Sequence, residues 1–108
     1  MLRAAAILAG ALSCSGAHAW SEMESMSFAN DLGMILASEE ACGMTYDQAA
    51  IQALIETTVP ADDMSFASTL SVMTQGQAFS LREMSRSSLA AHCASISRTA
   101  KHFGLVPD

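Results

Sequence analysis

A few residues in this chain are of types that could do chemistry: Cys42 and Cys93, His92 and His102, and the pair Met23-x-x-Met26. A free thiolate attacks electrophiles or binds metal. An imidazole moves protons near neutral pH. Two thioethers three residues apart share one side of a helix, if a helix reaches that far back, and soft sulfur suits Cu(I). None of these groups is completed by the residues around it. The histidines lie ten residues apart on one expected helix, so they point about 80° away from each other. Serine is abundant, but nothing selects one as a nucleophile. There is no Gly-rich phosphate loop and no Gly-x-Ser-x-Gly elbow. These absences point away from an enzyme. No catalytic residue, metal ligand or cofactor is assigned.

The start of the chain decides how the cysteines are read. Arg3 is the only charge before Glu22. The apolar run Ala4 to Leu12 follows, then a small, polar stretch that ends Ala17-His18-Ala19. A positive start, a short apolar core and a small-x-small site are the parts of a secretory signal. The core is too short for a membrane span, which needs about 20 residues. Residues 1–19 are therefore expected to be a cleavable signal peptide, cut between Ala19 and Trp20, and residues 20–108 a single domain with no stable membrane span. The rival is lipidation at Cys14, which follows Ala11-Leu12-Ser13. Its Leu sits one place too late for a good lipobox. An exported protein with two remaining cysteines reads as a disulfide, here Cys42–Cys93. The bond closes a loop of roughly 50 residues and stabilises a small domain by about 4 kcal/mol. Free thiols, or a bridge to another chain, are the alternatives.

Charge divides the domain. Trp20 to Asp63 holds nine acids (Glu22, Glu24, Asp31, Glu39, Glu40, Asp47, Glu56, Asp62, Asp63) and no Lys or Arg. Met64 to Asp108 holds four bases (Arg82, Arg86, Arg98, Lys101) and two acids (Glu83, Asp108). So acidic a chain is not built for nucleic acid. The two halves attract each other within one domain, or the acidic half docks a basic partner; the first reading is preferred.

Four helices are expected, packed as a small all-α bundle. The first runs roughly from 25 to 37, with Phe28, Leu32, Ile35 and Leu36 inward; Gly33 weakens it, and the stretch 20–25 frays. Trp20 either covers the bundle or anchors a partner. The second opens on a capping box, Thr45 to Gln48, and ends at Thr57-Thr58-Val59 before Pro60. The third begins on Asp62 or Asp63 as cap, carries the stripe Phe66, Leu70, Met73, and stops at Gly76. A short turn of helix follows within 77–84. The fourth starts at Ser85, presents Leu89, Cys93, Ile96, Ala100 and Phe103 inward, and stops at Gly104, with Leu105 packing back. The methionines Met23, Met26, Met34, Met44, Met64, Met73 and Met84 read first as core filler and second as a soft binding surface.

The stretch Ala41 to Ile51 (ACGMTYDQAAI), the run Val59 to Met64 (VPADDM) and Ala91-His92-Cys93 resemble a group of small exported alphaproteobacterial proteins. That resemblance covers nearly the whole domain and brings no activity with it. A looser likeness, in architecture alone, is to acid-stress periplasmic chaperones of the HdeA type, which are short, helical and closed by one disulfide. Together these features predict a periplasmic or secreted, non-enzymatic protein that works through a protein partner. The alternatives are a small-ligand or Cu(I) carrier using Met23 and Met26, and a secreted inhibitor or effector.

Overall fold

The computed structural model describes residues 20–107; the expected signal peptide and Cys14 lie outside them. Among the described residues four helices follow one another: α1 (Glu22–Ala41), α2 (Gln48–Thr58), α3 (Phe66–Arg82) and α4 (Arg86–His102). Among the described residues there is no strand, and no helix is long and apolar enough to cross a membrane.

Helix α1 starts earlier and ends later than its apolar spacing predicts. Ser21 Oγ accepts from the Glu24 amide at 3.0 Å, and Glu24 Oε1 accepts from the Ser21 amide at 2.9 Å. This reciprocal box satisfies two otherwise orphaned donors, so residues 20–25 are ordered rather than frayed. At the other end Gly43 adopts φ +66°. Its amide bonds Glu40 O, and the Met44 amide bonds Glu39 O. That pair of bonds is the Schellman arrangement, which needs a left-handed residue and favours glycine. Gly104 (φ +74°) ends α4 the same way, through bonds to Lys101 O and from Leu105 N to Ala100 O.

The other helix ends shift for identifiable reasons. Asp47, not Thr45, caps α2, accepting from Ala49 N and Ala50 N at 3.0 and 3.2 Å. Tyr46 is drawn into the core, and its amide goes to Glu39 Oε2, so the helix cannot begin before it. Neither Asp62 nor Asp63 caps α3, which begins after Ser65, because the Asp63 carboxylate is committed elsewhere. Nor does α3 stop at Gly76. It runs on to Arg82 because the inward stripe continues to Leu81, which is buried. Ser85 does cap α4, accepting from Ser88 N. Phe103, expected inward, is 40% exposed, and Leu105 fills the core in its place.

α1 is the spine. Phe28 stacks on Phe66, with ring centroids 5.6 Å apart, and Gly33 meets Met73 further along. Residue numbers rise together, so α1 and α3 run in the same direction and α2 is the return between them. One core cluster lies between α1, α2 and α3, on Ala29, Leu32 and Phe66. The other lies where α4 crosses the end of α1, on Ile35, Tyr46, Ile96, Ala100 and Leu105. Leu36 and Leu54 pack against both. Leu32 and Leu105 are fully buried, each contributing roughly 1.5–3 kcal/mol of hydrophobic stabilisation.

Gly33 costs α1 about 1 kcal/mol of helix propensity against alanine, and the reason for it is packing. A Cβ there would lie 3.0 Å from Met73 Cβ and 3.2 Å from both Met73 C and Thr74 N. The backbone atoms cannot yield without separating the helices. Gly33→Ala is therefore expected to lower stability by about 1–3 kcal/mol despite its better propensity, read as a lower urea midpoint. An unchanged or higher midpoint would mean that the contact relaxes freely.

Tyr46 gives a second test. Its hydroxyl donates to Ile35 O at 2.7 Å in the core, and burial, reinforced by the Glu39 carboxylate, pushes its pKa up to about 12. A phenol whose folded pKa is raised adds stability below the unfolded value of about 10, and loses it as pH climbs from there through 12. Tyr46 is the chain's single tyrosine. Its phenolate absorbance should rise near pH 12 in the folded protein and near 10 in denaturant; one common midpoint would contradict the buried bond.

Candidate functional site

Cys42, Cys93 and His92 come together at one end of the bundle, while His102 stands apart and exposed. Cys42 and Cys93 form a disulfide, with Cα atoms 5.4 Å apart, so neither offers a thiolate. One turn before Cys42, Ser38 meets His92: Ser38 Oγ and His92 Nε2 lie 2.8 Å apart. The pair has the distance of a nucleophile and its base, but it runs the wrong way. The Ser38 hydroxyl gives its one proton to Met34 O at 2.7 Å, which leaves His92 Nε2 as the donor. Ser38 is also fully buried. The pair joins α4 to α1 beside the disulfide. His102 stands at the end of α4 with its ring edge-on to Phe103, away from His92. Spacing showed neither the Ser38–His92 bond nor the buried hydroxyl of Tyr46, because both partners are distant in the chain.

The opposite end of α1 is open. Asp63, in the loop between α2 and α3, accepts four hydrogen bonds. Its Oδ2 takes the Trp20 indole N–H at 2.8 Å and the Ser25 hydroxyl at 2.8 Å. Its Oδ1 takes the Ser65 amide and hydroxyl, both at 3.2 Å. Ser25 is buried; Trp20 is half-buried. The hydrogen bond from Ser25, then that from Trp20, hold the Asp63 carboxyl below the usual range, so it stays charged. It fastens the first residue of the expected mature chain to the α2–α3 loop. Trp20 is thus half-buried and tied to the α2–α3 loop.

A cleft of about 630 Å³ lies over this hub, with Trp20, Glu22, Met26, Pro60 and Asp62 among its walls. A smaller apolar groove of about 420 Å³ lies along Val59, Pro60 and Phe66 and shares Asp63 with the cleft. Met23 and Met26 do share a side of α1, because the capping box at Ser21 extends the helix back over them. They are 78% and 50% exposed, and Met64, next to Asp63, is 87% exposed. These three are surface rather than core filler; Met34, Met44 and Met73 do pack in or against the core clusters. Among the described residues no group of three His, Cys, Asp or Glu side chains could hold a metal ion. No Lys or Arg occurs between Arg3 and Arg82, so this end has no basic residue of its own segment to neutralise it.

No family model, curated protein or solved structure matches the chain. Function must therefore be argued from the site. At the disulfide end the two sulfurs and the Ser38 hydroxyl are engaged, whereas the Trp20 end has a cleft lined by Met26 and carboxylates.

Trp20 is the chain's only tryptophan, so its fluorescence reports this hub directly. Asp63 has a lowered folded pKa. Its contribution is complete above the unfolded value of about 3.9 and is lost as pH falls through the folded one. Acidification below the ordinary carboxylate range should red-shift Trp20 emission as the indole is released. Asp63→Ala should give the shifted spectrum already at neutral pH, with a lower Tm. A mutant spectrum identical to that of the native protein would remove Asp63 as the anchor.

Proposed function

We propose that this chain is an exported, non-enzymatic binding module of the periplasm or cell exterior, which docks a protein partner at its Trp20 end. One observation carries the reading: Met26 lines a cleft with Trp20, Glu22, Asp62 and Asp63, and Met23 and Met64, close by in sequence, are exposed. Flexible thioethers adapt to varied apolar surfaces, and uncompensated carboxylates speed encounter with a basic one. The preferred partner is therefore a segment that mixes apolar with Lys or Arg side chains. An acidic surface is the wrong one for nucleic acid.

Several features support the rest of the reading. The disulfide suits an oxidising compartment, and residues 1–19 have the three parts of an export signal. A buried serine held by a donating histidine, and cysteines locked together, suit a scaffold better than a catalyst. The likeness to acid-stress chaperones fits an end anchored by Asp63, whose carboxyl the Ser25 and Trp20 bonds hold below its usual range.

Cell fractionation with N-terminal sequencing tests export: the protein should be recovered outside the cytoplasm beginning at Trp20. A photo-crosslinking residue placed at position 23 or 64 tests the docking end, against a control at the exposed Ala94 on α4. Adducts from 23 and 64, absent from 94 and weakened by salt, are expected. Adducts of equal yield at all three positions, or none anywhere, would overturn the assignment of this end.

A further inference from the structure

The chain has eight methionines, and the fold sorts the seven after Met1 by exposure. Met34 and Met44 pack against the cluster on Ile35 and Tyr46, and Met73 against the one on Ala29 and Leu32. Met23, Met26 and Met64 are half exposed or more and belong to neither cluster. Met84, between α3 and α4, is intermediate at 37%.

A core position explains a methionine, because a flexible thioether fills irregular gaps. Met23, Met26 and Met64 fill no gap in either cluster. What sets an exposed methionine apart from a leucine is its sulfur, which takes one oxygen from a two-electron oxidant to give a sulfoxide. Among the described residues both cysteines are locked in the disulfide, so no thiol competes for that oxidant. The same disulfide suits an oxidising compartment.

The consequence falls on the cleft. Met26 lines it with Trp20, Asp62 and Asp63; Met23 lies one turn earlier on α1, and Met64 follows Asp63 in the chain. A sulfoxide is polar, and its oxygen needs a hydrogen-bond donor when water is removed. The carboxylates beside Met26 only accept, so they cannot satisfy it. An apolar surface pressed onto that oxygen would leave it unpaired, which is unfavourable. At these exposed positions the oxygen stays hydrated in the free protein, and the fold is not disturbed. On Met34, Met44 or Met73 it would enter the packing around the core clusters.

We propose that Met23, Met26 and Met64 are reversible oxidation sites for peroxide-class oxidants, and that their oxidation weakens docking at the Trp20 end while the fold persists. The inference rests on the docking role proposed above for that end. A thioether lone pair attacks one oxygen of hydrogen peroxide, and the O–O bond breaks as the S–O bond forms. The sulfur is oxidised by two electrons. The second oxygen leaves as hydroxide, takes the proton of the transferred oxygen and becomes water. Sulfoxide reductases, one for each epimer, reverse the step; a dithiol is oxidised to a disulfide and the oxygen departs as water.

Limited hydrogen peroxide treatment of the disulfide-bonded protein, followed by peptide mass mapping, tests the sites. Single oxygens should appear first on Met23, Met26 and Met64, later on Met84 and last on Met34, Met44 and Met73. Helicity should be unchanged while only the first three are modified. Fluorescence anisotropy of a labelled amphipathic Leu–Lys peptide, which has the partner chemistry proposed above, reads docking. Its Kd should rise by about tenfold on oxidation and recover after treatment with both reductases. A variant carrying Met23→Leu, Met26→Leu and Met64→Leu should bind the peptide equally well before and after peroxide. Oxygen on Met34, Met44 or Met73 as early as on the exposed three would overturn the proposal. So would a Kd that oxidation leaves unchanged, or one that rises as much in the leucine variant. A peptide that does not bind before peroxide would overturn the partner class and with it the control of docking, whereas the order of oxygen addition would still decide the oxidation sites.

Discussion

Everything in this fold is arranged along α1, and the tight point of that arrangement is the contact at Gly33. A domain this short has few residues to bury, and one helix must serve two clusters. α1 does so by giving α3 a smooth side made of Ser25, Ala29 and Gly33, so that the two backbones come close, while Leu32, Ile35 and Leu36 fill the space toward α2 and α4. Close backbones mean that small side chains still exclude water. The arrangement needs no large aromatic core, and the chain has few aromatic residues to supply one.

The two ends of α1 are then held by different chemistry. At the C-terminal end the bonds are covalent or buried: Cys42–Cys93, Ser38 with His92, the Tyr46 hydroxyl on Ile35, and the Asp47 amide on Leu105 O. Together they tie the turns after α1 and α4 to each other. At the N-terminal end one carboxylate does the holding, at the surface and in contact with water. A half-exposed carboxylate responds to pH and salt and a disulfide does not, so the two ends of α1 are held by bonds of different sensitivity.

How much of this could be read from the residues follows from the range of each interaction. The four helices, the ends of α2 and α4 at Val59 and Gly104, the Ser85 cap and the inward positions of Leu32, Ile35, Ile96 and Ala100 are local matters, and periodicity and turn chemistry revealed them. The Cys42–Cys93 pairing followed from arithmetic once residues 1–19 were set aside. Misreadings came where a distant partner overrode a local signal. Asp63 looks like a cap, but Trp20 and Ser25 take its carboxylate. Thr45 looks like a cap, but burial of Tyr46 moves the start of α2. Gly33 looks like a weakness and Gly76 like a stop, because a glycine gives no sign of what lies beside it. The box at Ser21 and Glu24 and the left-handed Gly43 are local signals as well, and they set the two ends of α1 beyond the reach of its apolar spacing.

The surface groups separate by the same logic. Met23, Met26 and Met64 lie outside the two core clusters and stay exposed, whereas Met34, Met44 and Met73 pack against them.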